Sequence, residues 1–138
     1  MLTRNIEKKT AVVILNWNGR KLLEEFLPQV IQNTSTQLCD IIVADNASTD
    51  DSIHYLTTHY PTIGIIQLDR NYGFAGGYNH ALAKINHQFV VLLNSDVAPA
   101  PNWLEPLVLF MDSHPRAAAC VPKIKDYRRP QYFEYAGA

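Results

Sequence analysis

Three apolar runs in this chain are each followed at once by small polar or acidic residues. The runs span residues 11–15, 41–44 and 89–93, and the residues that follow them are Asn16, Asp45 and Asn94. Uninterrupted apolar runs of this length are typical of parallel strands that are buried on both faces. Because ligands of open α/β sheets bind beyond the carboxyl ends of the strands, these polar residues predict one binding site at that edge.

Length and composition predict one ordinary globular domain over residues 1–138. The sequence is 47% hydrophobic and 18% charged, and its formal net charge of -1 excludes a strong field for nucleic acid. No apolar stretch approaches the ~20 residues of a membrane-spanning helix, and the first residues do not resemble a signal peptide. We therefore expect a cytoplasmic protein without a transmembrane segment, with peripheral contact at the inner face of the membrane as one option.

Two local features qualify this composition. A basic cluster near the end of the chain comprises Lys123, Lys125, Arg128 and Arg129. It is either a solvated surface or a contact for anionic lipid or a phosphate-bearing acceptor. Cys39 and Cys120 lie in or beside apolar runs without metal-like spacing, which predicts two reduced, buried thiols.

Strand-like and helix-like patterns alternate along the chain. Strands are predicted at residues 11–16, 40–45, 63–68 and 88–93, with a fifth at 117–121 and an edge hairpin or partly ordered tail in the last dozen residues. Helices are predicted at residues 22–31 with a kink at Pro28, at 49–59 with Ser48 or Thr49 as the N-cap, after residue 77, and at 101–112 starting from Pro101. This alternation predicts a mostly parallel sheet of strand order 3-2-1-4 with helices on both faces, and the strand order reverses between strands 1 and 4.

Side chains at the predicted strand ends have both a binding and a structural interpretation. Asp96, flanked by Asn94 and Ser95, either supplies a hard oxygen ligand to Mg²⁺ or Mn²⁺ or ends its strand in an Asx-type turn. Asp45 is placed to accept hydrogen bonds from a ribose or a base. Asn16 and Trp17 are placed to pair with and stack on a base, although Trp17 could equally be plain packing.

A glycine-rich segment, residues 71–77, precedes the third predicted helix. Glycines allow close backbone approach to a ligand, and N–H groups at a helix start favour an anion. The segment matches neither the dinucleotide nor the P-loop fingerprint. Asn79 and His80, on the helix that follows, are placed to face the site or to lie on the surface.

Taken in order, four segments resemble those of the family 2 glycosyltransferases, which are inverting enzymes with the GT-A fold. Residues 13–18 resemble the family's first strand, and residues 43–50 its Asp-Asn-x-Ser-x-Asp nucleotide-binding segment. Residues 71–79 resemble the Asn-x-Gly-Phe-Ala-x-Gly-x-Asn loop of a rhamnosyltransferase-like branch, and residues 92–96 take the place of the metal-binding Asp-x-Asp motif. The resemblance covers about residues 10–122, nearly the whole chain.

The resemblance implies a nucleotide-sugar-binding portion truncated before the acceptor-binding half. The residues it implies at the nucleotide-sugar site are Asn16, Trp17, Asn18, Asp45, Asn71, Gly73, Phe74, Gly77, Asn94, Ser95 and Asp96. Asp96 would hold a divalent metal, Mg²⁺ or Mn²⁺, which would neutralise charge on the leaving nucleoside diphosphate. Asn94 replaces the first acid of Asp-x-Asp, and Ala81 stands where the family often has glycine. No residue matches the family's Glu-Asp pair, so the general base is expected beyond residue 138 and Glu134 is not assigned that role.

The implied reaction is transfer of a sugar from a UDP- or dTDP-sugar to a glycan or lipid-linked acceptor, with inversion, in bacterial cell-surface polysaccharide synthesis. The chain alone is expected to bind donor, to turn over poorly and to self-associate as a homo-oligomer. One alternative is a sugar-nucleotide pyrophosphorylase, but residues 16–20 lack that class's early Gly-x-Gly-x-Arg run. The other is a non-catalytic α/β nucleotide-binding module or phospho-acceptor domain, which would need paired acids where Asn16 and Asn18 stand.

Overall fold

The computed structural model describes residues 8–135 of the chain. In chain order the elements are β1 (Thr10–Asn16), α1 (Arg20–Asn33), β2 (Cys39–Asp45), α2 (Ser52–His59), β3 (Gly64–Gln67), α3 (Gly73–Leu82), β4 (Phe89–Leu93), α4 (Leu104–Ser113), β5 (Ile124–Lys125) and β6 (Phe133–Tyr135). The ends of the predicted domain, residues 1–7 and 136–138, lie outside the described residues. Within the described residues, no helix is both long and apolar enough to cross a membrane.

Four strands form a parallel sheet in the order β3-β2-β1-β4, which confirms the predicted topology. In its register, Asn16 of β1 lies opposite Asp45 of β2, and Ile14 of β1 lies opposite Leu93 of β4. All four strands point the same way, so their carboxyl ends meet at one edge, called here the carboxyl edge. The topology therefore brings the polar residues that follow β1, β2 and β4 to the same side of the molecule.

Side chains of the central strand alternate between two apolar layers, as the period of a β-strand requires. Val12 and Ile14 face a larger core that contains Leu23 and Leu27 of α1 and Leu104 of α4. The opposite face is a smaller core, formed by Ala11, Val13, Ala44, Tyr78 and Ala81. Helices therefore cover both faces of the sheet, as predicted, with α3 on the smaller core.

Helix α1 buries Leu23, Phe26, Leu27 and Val30, the stripe expected from its apolar spacing. Pro28 lies inside this helix and removes one backbone donor, yet the helix continues to Asn33. The kink predicted at Pro28 stays a prediction.

Two predicted helix starts are wrong, and the first error has a local cause. Helix α2 begins at Ser52 with Asp51 as its N-cap, because the Ser48 hydroxyl is instead bonded to Asp45. Helix α4 begins only at Leu104, and Pro101 lies in the preceding turn.

The glycine-rich segment, which was predicted to be a loop, is largely helical in the structure. Helix α3 begins at Gly73 and contains Gly76 and Gly77. Glycine is ~1 kcal/mol less favourable than alanine inside a helix, so this composition argues for a loop when read alone. A Cβ on Gly77 would lie 2.9 Å from the Leu15 side chain, so close packing on the sheet explains the residue.

The end of the described chain departs from prediction in part. Residues 117–121 form no strand, and the side chain of Val121 is 75% exposed. Cys120 is half-buried, whereas Cys39 is buried as expected and the surrounding apolar groups raise its pKa to about 11. Of the two alternatives predicted for the last dozen residues, a hairpin is present as the antiparallel pair β5–β6, but it begins earlier, at Ile124, and is a separate sheet instead of an edge of the main one. Tyr127 beside it packs edge-on against Phe26 at 5.4 Å.

Candidate functional site

The centre of the carboxyl edge is a buried pair, Asn16 and Asp45. Their residues are 1% and 2% exposed, and the Asn16 amide Nδ2 donates a hydrogen bond of 2.9 Å to Asp45 Oδ1. They meet because β1 and β2 end in register at these two positions. A backbone hydrogen bond also joins the two strand ends, because the Asn46 backbone amide donates to the Asn16 carbonyl oxygen at 2.8 Å.

The Asp45 carboxylate is fully engaged by its own chain. Besides Asn16, it accepts hydrogen bonds from the Ser48 hydroxyl at 2.6 Å and from the Ser48 backbone amide at 2.9 Å. The Ser48 contacts fold the segment after β2 into a tight turn, an arrangement common for aspartate at the first turn position. Asp45 therefore orients Asn16 and Ser48. Its predicted direct contact with a ribose or base stays a prediction.

Asn18 joins the loop after β1 to the loop after β2. Its side-chain Oδ1 accepts hydrogen bonds from the backbone amides of Thr49 at 2.7 Å and Asp50 at 3.3 Å. The backbone amide of Asn18 donates to the Ser48 hydroxyl at 2.9 Å. Asn18 adopts a φ of 49°, in the left-handed region that asparagine tolerates better than most residues. The two loops thus form one hydrogen-bonded unit.

Asp50 strengthens the same unit. Its carboxylate accepts hydrogen bonds from the backbone amides of Arg20 and Ser52, both at 3.0 Å. Burial acts to raise the pKa of Asp50, but the hydrogen bonds from Ser52 and Arg20 outweigh it, so the pKa lies below its ordinary value.

Trp17 is the part of this unit that is open to a ligand. Its side chain is 57% exposed, although Asn16 beside it is buried. Among the described residues, the buried Asn16 Oδ1 has no hydrogen-bond partner. Gly19 lies against this oxygen, where a Cβ would collide with it. The edge therefore presents an exposed aromatic side chain, next in sequence to a residue with a buried and unused acceptor, and the packing interpretation of Trp17 is not favoured.

Asn46 attaches the glycine-rich segment to the sheet. This residue is 2% exposed, and its Nδ2 donates to Asn71 Oδ1 and to the Gly73 carbonyl, both at 3.0 Å. Its Oδ1 accepts from the Tyr72 amide at 2.9 Å. Asn71 also caps the turn, since its Oδ1 accepts from the Gly73 amide at 2.7 Å. One buried asparagine at the end of β2 thus fixes the start of α3.

Asn46 and Ser48 organise this edge through their hydrogen bonds, but the sequence indicated no role for either at the site beyond their place in a motif. The signal available in the sequence was their position: Asn46 follows Asp45 directly, and Ser48 lies three residues after it. On the other side of the segment, Phe74 is 67% exposed and Tyr72 stacks on His80 at 3.6 Å between ring centroids. His80 is a surface residue in this arrangement.

The third group at the carboxyl edge follows β4. Asn94 and Asp96 are exposed and Ser95 is half-buried. Within residues 8–135 no hydrogen bond or ion pair engages the Asp96 carboxylate, and no cluster of three or more His, Cys, Asp or Glu side chains could enclose a metal. The donor set therefore fits a hydrated divalent ion held by one carboxylate and by ligand oxygens, not a protein cage.

A cavity of about 210 Å³ lies elsewhere, between the end of α1 and the start of α4. Its lining includes Gln32, Asn33, Ser35 and Glu105 and none of the predicted site residues. The predicted residues instead form an open edge. Asn16 is hydrogen-bonded to Asp45, and Asn18 is linked to both through Ser48. Asn71 and Gly73 join them through Asn46, and Asp96 follows the strand next to β1.

Comparisons with known proteins agree with this geometry. The glycosyl transferase family 2 model matches residues 11–135. An N-acetylglucosaminyl-diphospho-decaprenol L-rhamnosyltransferase of Mycobacterium tuberculosis is 25% identical over 126 residues, an alignment that covers 83% of this chain and 41% of that protein. The chain thus spans well under half the length of this curated relative.

Solved structures share the fold at lower identity. S. aureus TarS 1-349 in complex with UDP-GlcNAc superposes with a TM-score of 0.67 at 22% identity, over 83% of this chain and 37% of that chain. The mannosyltransferase PcManGT from Pyrobaculum calidifontis, in complex with GDP-Man and Mn²⁺, gives a TM-score of 0.64 at 21% identity, over 85% of this chain and 34% of that chain. Because the family model matches residues 11–135 of this 138-residue chain, the protein belongs to glycosyl transferase family 2.

Proposed function

We propose that this chain is the donor-binding portion of an inverting glycosyltransferase that uses a UDP- or dTDP-sugar. The observation that carries the proposal is the meeting of the polar groups after β1, β2 and β4 at one edge of the sheet. Membership in a glycosyltransferase family supports it, as does the UDP-GlcNAc complex of TarS, a protein of the same fold.

The nucleotide would lie against Trp17 and Asn16. An exposed indole offers a stacking face for a base, and Asn16 Oδ1, although buried, is an acceptor that the described chain leaves unused. Because Asn16 Nδ2 is committed to Asp45, the orientation of this amide is set before any ligand arrives. Asn18 and Ser48 keep the surrounding loops in place.

The diphosphate and sugar would lie along the start of α3. The amides of Tyr72 and Gly73 are already used by Asn46 and Asn71, so the donors left for a ligand come from the next residues of the first helical turn. The exposed Phe74 ring would line the sugar, and Gly77 would let the helix approach the sheet.

Asp96 would hold Mg²⁺ or Mn²⁺ at the donor diphosphate, with Asn94 and Ser95 beside it. The bound ion would neutralise the charge that develops on the leaving nucleoside diphosphate. The exposed, unpaired Asp96 carboxylate supports this assignment, as does the Mn²⁺ in the PcManGT complex.

A complete enzyme would need a carboxylate general base to deprotonate the acceptor hydroxyl, and we place that base beyond residue 138. Glu134 is an exposed residue of the β5–β6 hairpin and is not given this role. Since a missing acid–base group alone can cost ~10²–10⁴ in rate, the chain alone would bind donor and turn over poorly. The greater length of the curated relative supports a single donor-binding domain over residues 1–138 within a longer protein.

The acceptor would be a glycan or a lipid-linked sugar in bacterial cell-surface polysaccharide synthesis, at the inner face of the membrane. The rhamnosyltransferase-like motif and the name of the curated relative support a lipid-linked acceptor. Lys123, Lys125 and Arg128 are exposed and could contact anionic lipid peripherally. Exposed Val90 and Leu92 on the edge strand β4 support self-association, which gel filtration would measure.

Calorimetric titration of UDP, dTDP and GDP, each with and without Mn²⁺, tests the proposal directly. We expect heat from UDP or dTDP that increases when Mn²⁺ is present, and little from GDP. The absence of heat from both UDP and dTDP would contradict the proposal, and stronger binding of GDP would reassign the donor nucleotide.

A further inference from the structure

Residues 94–98, called here the Asp96 segment, follow β4 and include a turn at Ser95 and Asp96. The ladder between β1 and β4 ends at the Ile14–Leu93 pair, although β1 continues to Asn16. Within the described residues, neither the side chains nor the backbone of the segment form a hydrogen bond with the rest of the chain. Val97 packs against the larger core, so the position of the Asp96 carboxylate depends on that contact and on how the two ends of this segment are held.

The first end is held by Tyr78 of α3. Its hydroxyl donates a hydrogen bond of 3.0 Å to the Leu93 carbonyl oxygen, directly before the segment. Tyr78 is 4% exposed and packs in the smaller core with Val13 and Ala44, so the sheet itself fixes its ring. Burial raises the pKa of the Tyr78 phenol, and the Leu15 amide partly offsets this, so the hydroxyl keeps its proton for the bond to Leu93 at neutral pH.

The second end is held by Asn33, the last residue of α1. Its Nδ2 donates a hydrogen bond of 2.9 Å to the carbonyl oxygen of Pro99, a buried residue directly after the segment. The neighbouring Thr34 accepts a hydrogen bond of 3.0 Å from Trp103 Nε1, which fixes the same end of α1 to the chain before α4. Each end of the Asp96 segment is thus held at a carbonyl by a side chain from a different helix.

We infer that Tyr78 and Asn33 are positioning residues, which hold the Asp96 segment where its carboxylate can bind the metal of the donor complex. The inference rests on the metal role proposed for Asp96. A short segment with both ends fixed has far fewer conformations than one with a free end, so less entropy is lost when its carboxylate is immobilised by a ligand. Tyr78 also belongs to the helix whose first turn would bind the diphosphate, and it packs edge-on against Phe74 at 5.2 Å.

The test compares Tyr78→Phe and Asn33→Ala with a matched control, Tyr55→Phe. The control removes the hydroxyl of another tyrosine, 6% exposed, that lies in the larger core. Calorimetry gives the affinity for Mn²⁺ in the presence of UDP and the affinity for UDP without metal. We expect each test variant to weaken Mn²⁺ binding about three- to tenfold, the loss typical of one neutral hydrogen bond. Metal-free UDP binding should stay unchanged, and the control should match the wild-type protein.

A second readout does not depend on any ligand. In ¹H–¹⁵N spectra of the ligand-free protein, the amide signals of Asn94, Ser95 and Asp96 should shift or broaden in both test variants and not in the control. Unchanged signals would overturn the inference even if the wild-type protein bound no nucleotide, so its failure is distinct from failure of the proposed function. A parallel loss of metal-free UDP binding would also overturn it, because Tyr78 would then act on the whole site.

Discussion

The Asn16 side chain donates a 2.9 Å hydrogen bond to Asp45, and both residues are almost completely buried at the ends of adjacent strands. The sequence motif suggests Asp45 as a ligand-binding residue, but its carboxylate already accepts hydrogen bonds from its own chain. We therefore expect its effect on a nucleotide to pass through Asn16 and Ser48. This division between buried organising residues and exposed contacting residues determines what each mutation should do.

Replacing Asp45 with Asn should destabilise the fold and weaken nucleotide binding together. The new amide group would face the donor groups of Asn16 and Ser48, and a buried unsatisfied group costs about 1–3 kcal/mol. Urea unfolding and UDP calorimetry measure the two effects. Asp112→Asn, at an exposed carboxylate 3.5 Å from Lys9, is the control and should change neither. Normal stability with lost UDP binding would instead assign Asp45 to direct ligand contact.

Trp17→Ala should behave in the opposite way. Because the indole is largely exposed, the free energy of unfolding should change by less than about 0.5 kcal/mol. UDP binding should weaken by about 1–3 kcal/mol, the loss found when an aromatic side chain that stacks on a base is removed. Trp17→Phe, which retains a stacking face, should recover most of the affinity, and equal loss in both variants would argue against stacking.

Gly77→Ala should cost stability where Gly76→Ala does not. A Cβ at Gly77 would meet both Asn46 Nδ2 and the Leu15 side chain at 2.9 Å, whereas one at Gly76 would meet only Tyr72 Cβ at 3.1 Å. Overpacking of this kind costs about 1–3 kcal/mol, which exceeds the ~1 kcal/mol gained from alanine's helix propensity. Thermal unfolding of the two variants side by side provides the measurement, and equal melting temperatures would contradict the packing argument.

Asp96→Asn should remove the metal dependence of nucleotide binding and leave metal-free binding intact. The exposed side chain makes no hydrogen bond or ion pair with the described residues, so unfolding should be unaffected. Titration of UDP with and without Mn²⁺ measures the effect, again with Asp112→Asn as the control. If Mn²⁺ still strengthened UDP binding in Asp96→Asn, the metal would have to be held by other groups.

Stability should fall in acid partly through Asp40, far from the proposed site. The hydrogen bond from Lys8 at 2.7 Å is the main reason that the pKa of Asp40 lies below its ordinary value, and His87 at 3.0 Å adds to it. A carboxyl whose folded pKa is below its unfolded value of about 3.9 stabilises the fold above that pH. The contribution is lost as the pH falls through the folded pKa. Asp40→Asn should therefore flatten the acid side of a stability–pH curve measured by urea unfolding, and an unchanged slope would contradict this assignment.

Much of the fold was predictable because it depends on local patterns. The apolar runs at residues 11–15, 41–44 and 89–93 became β1, β2 and β4, and the strand–helix alternation led to the order 3-2-1-4. The expected convergence of Asn16 and Asp45 follows from the same topology, since parallel strands in register end side by side.

What the sequence alone determined is therefore the succession of strands and helices and the identity of the polar groups at the carboxyl edge. Only the tertiary structure decided which of those groups are buried: Asp45 is enclosed by Asn16 and Ser48, whereas Trp17 and Asp96 remain exposed. It also decided that the glycine-rich segment is helical, and that Tyr78 and Asn33 hold the ends of the Asp96 segment. The physical reason is that burial and hydrogen-bond partners come from residues distant along the chain, and a local pattern carries no information about them.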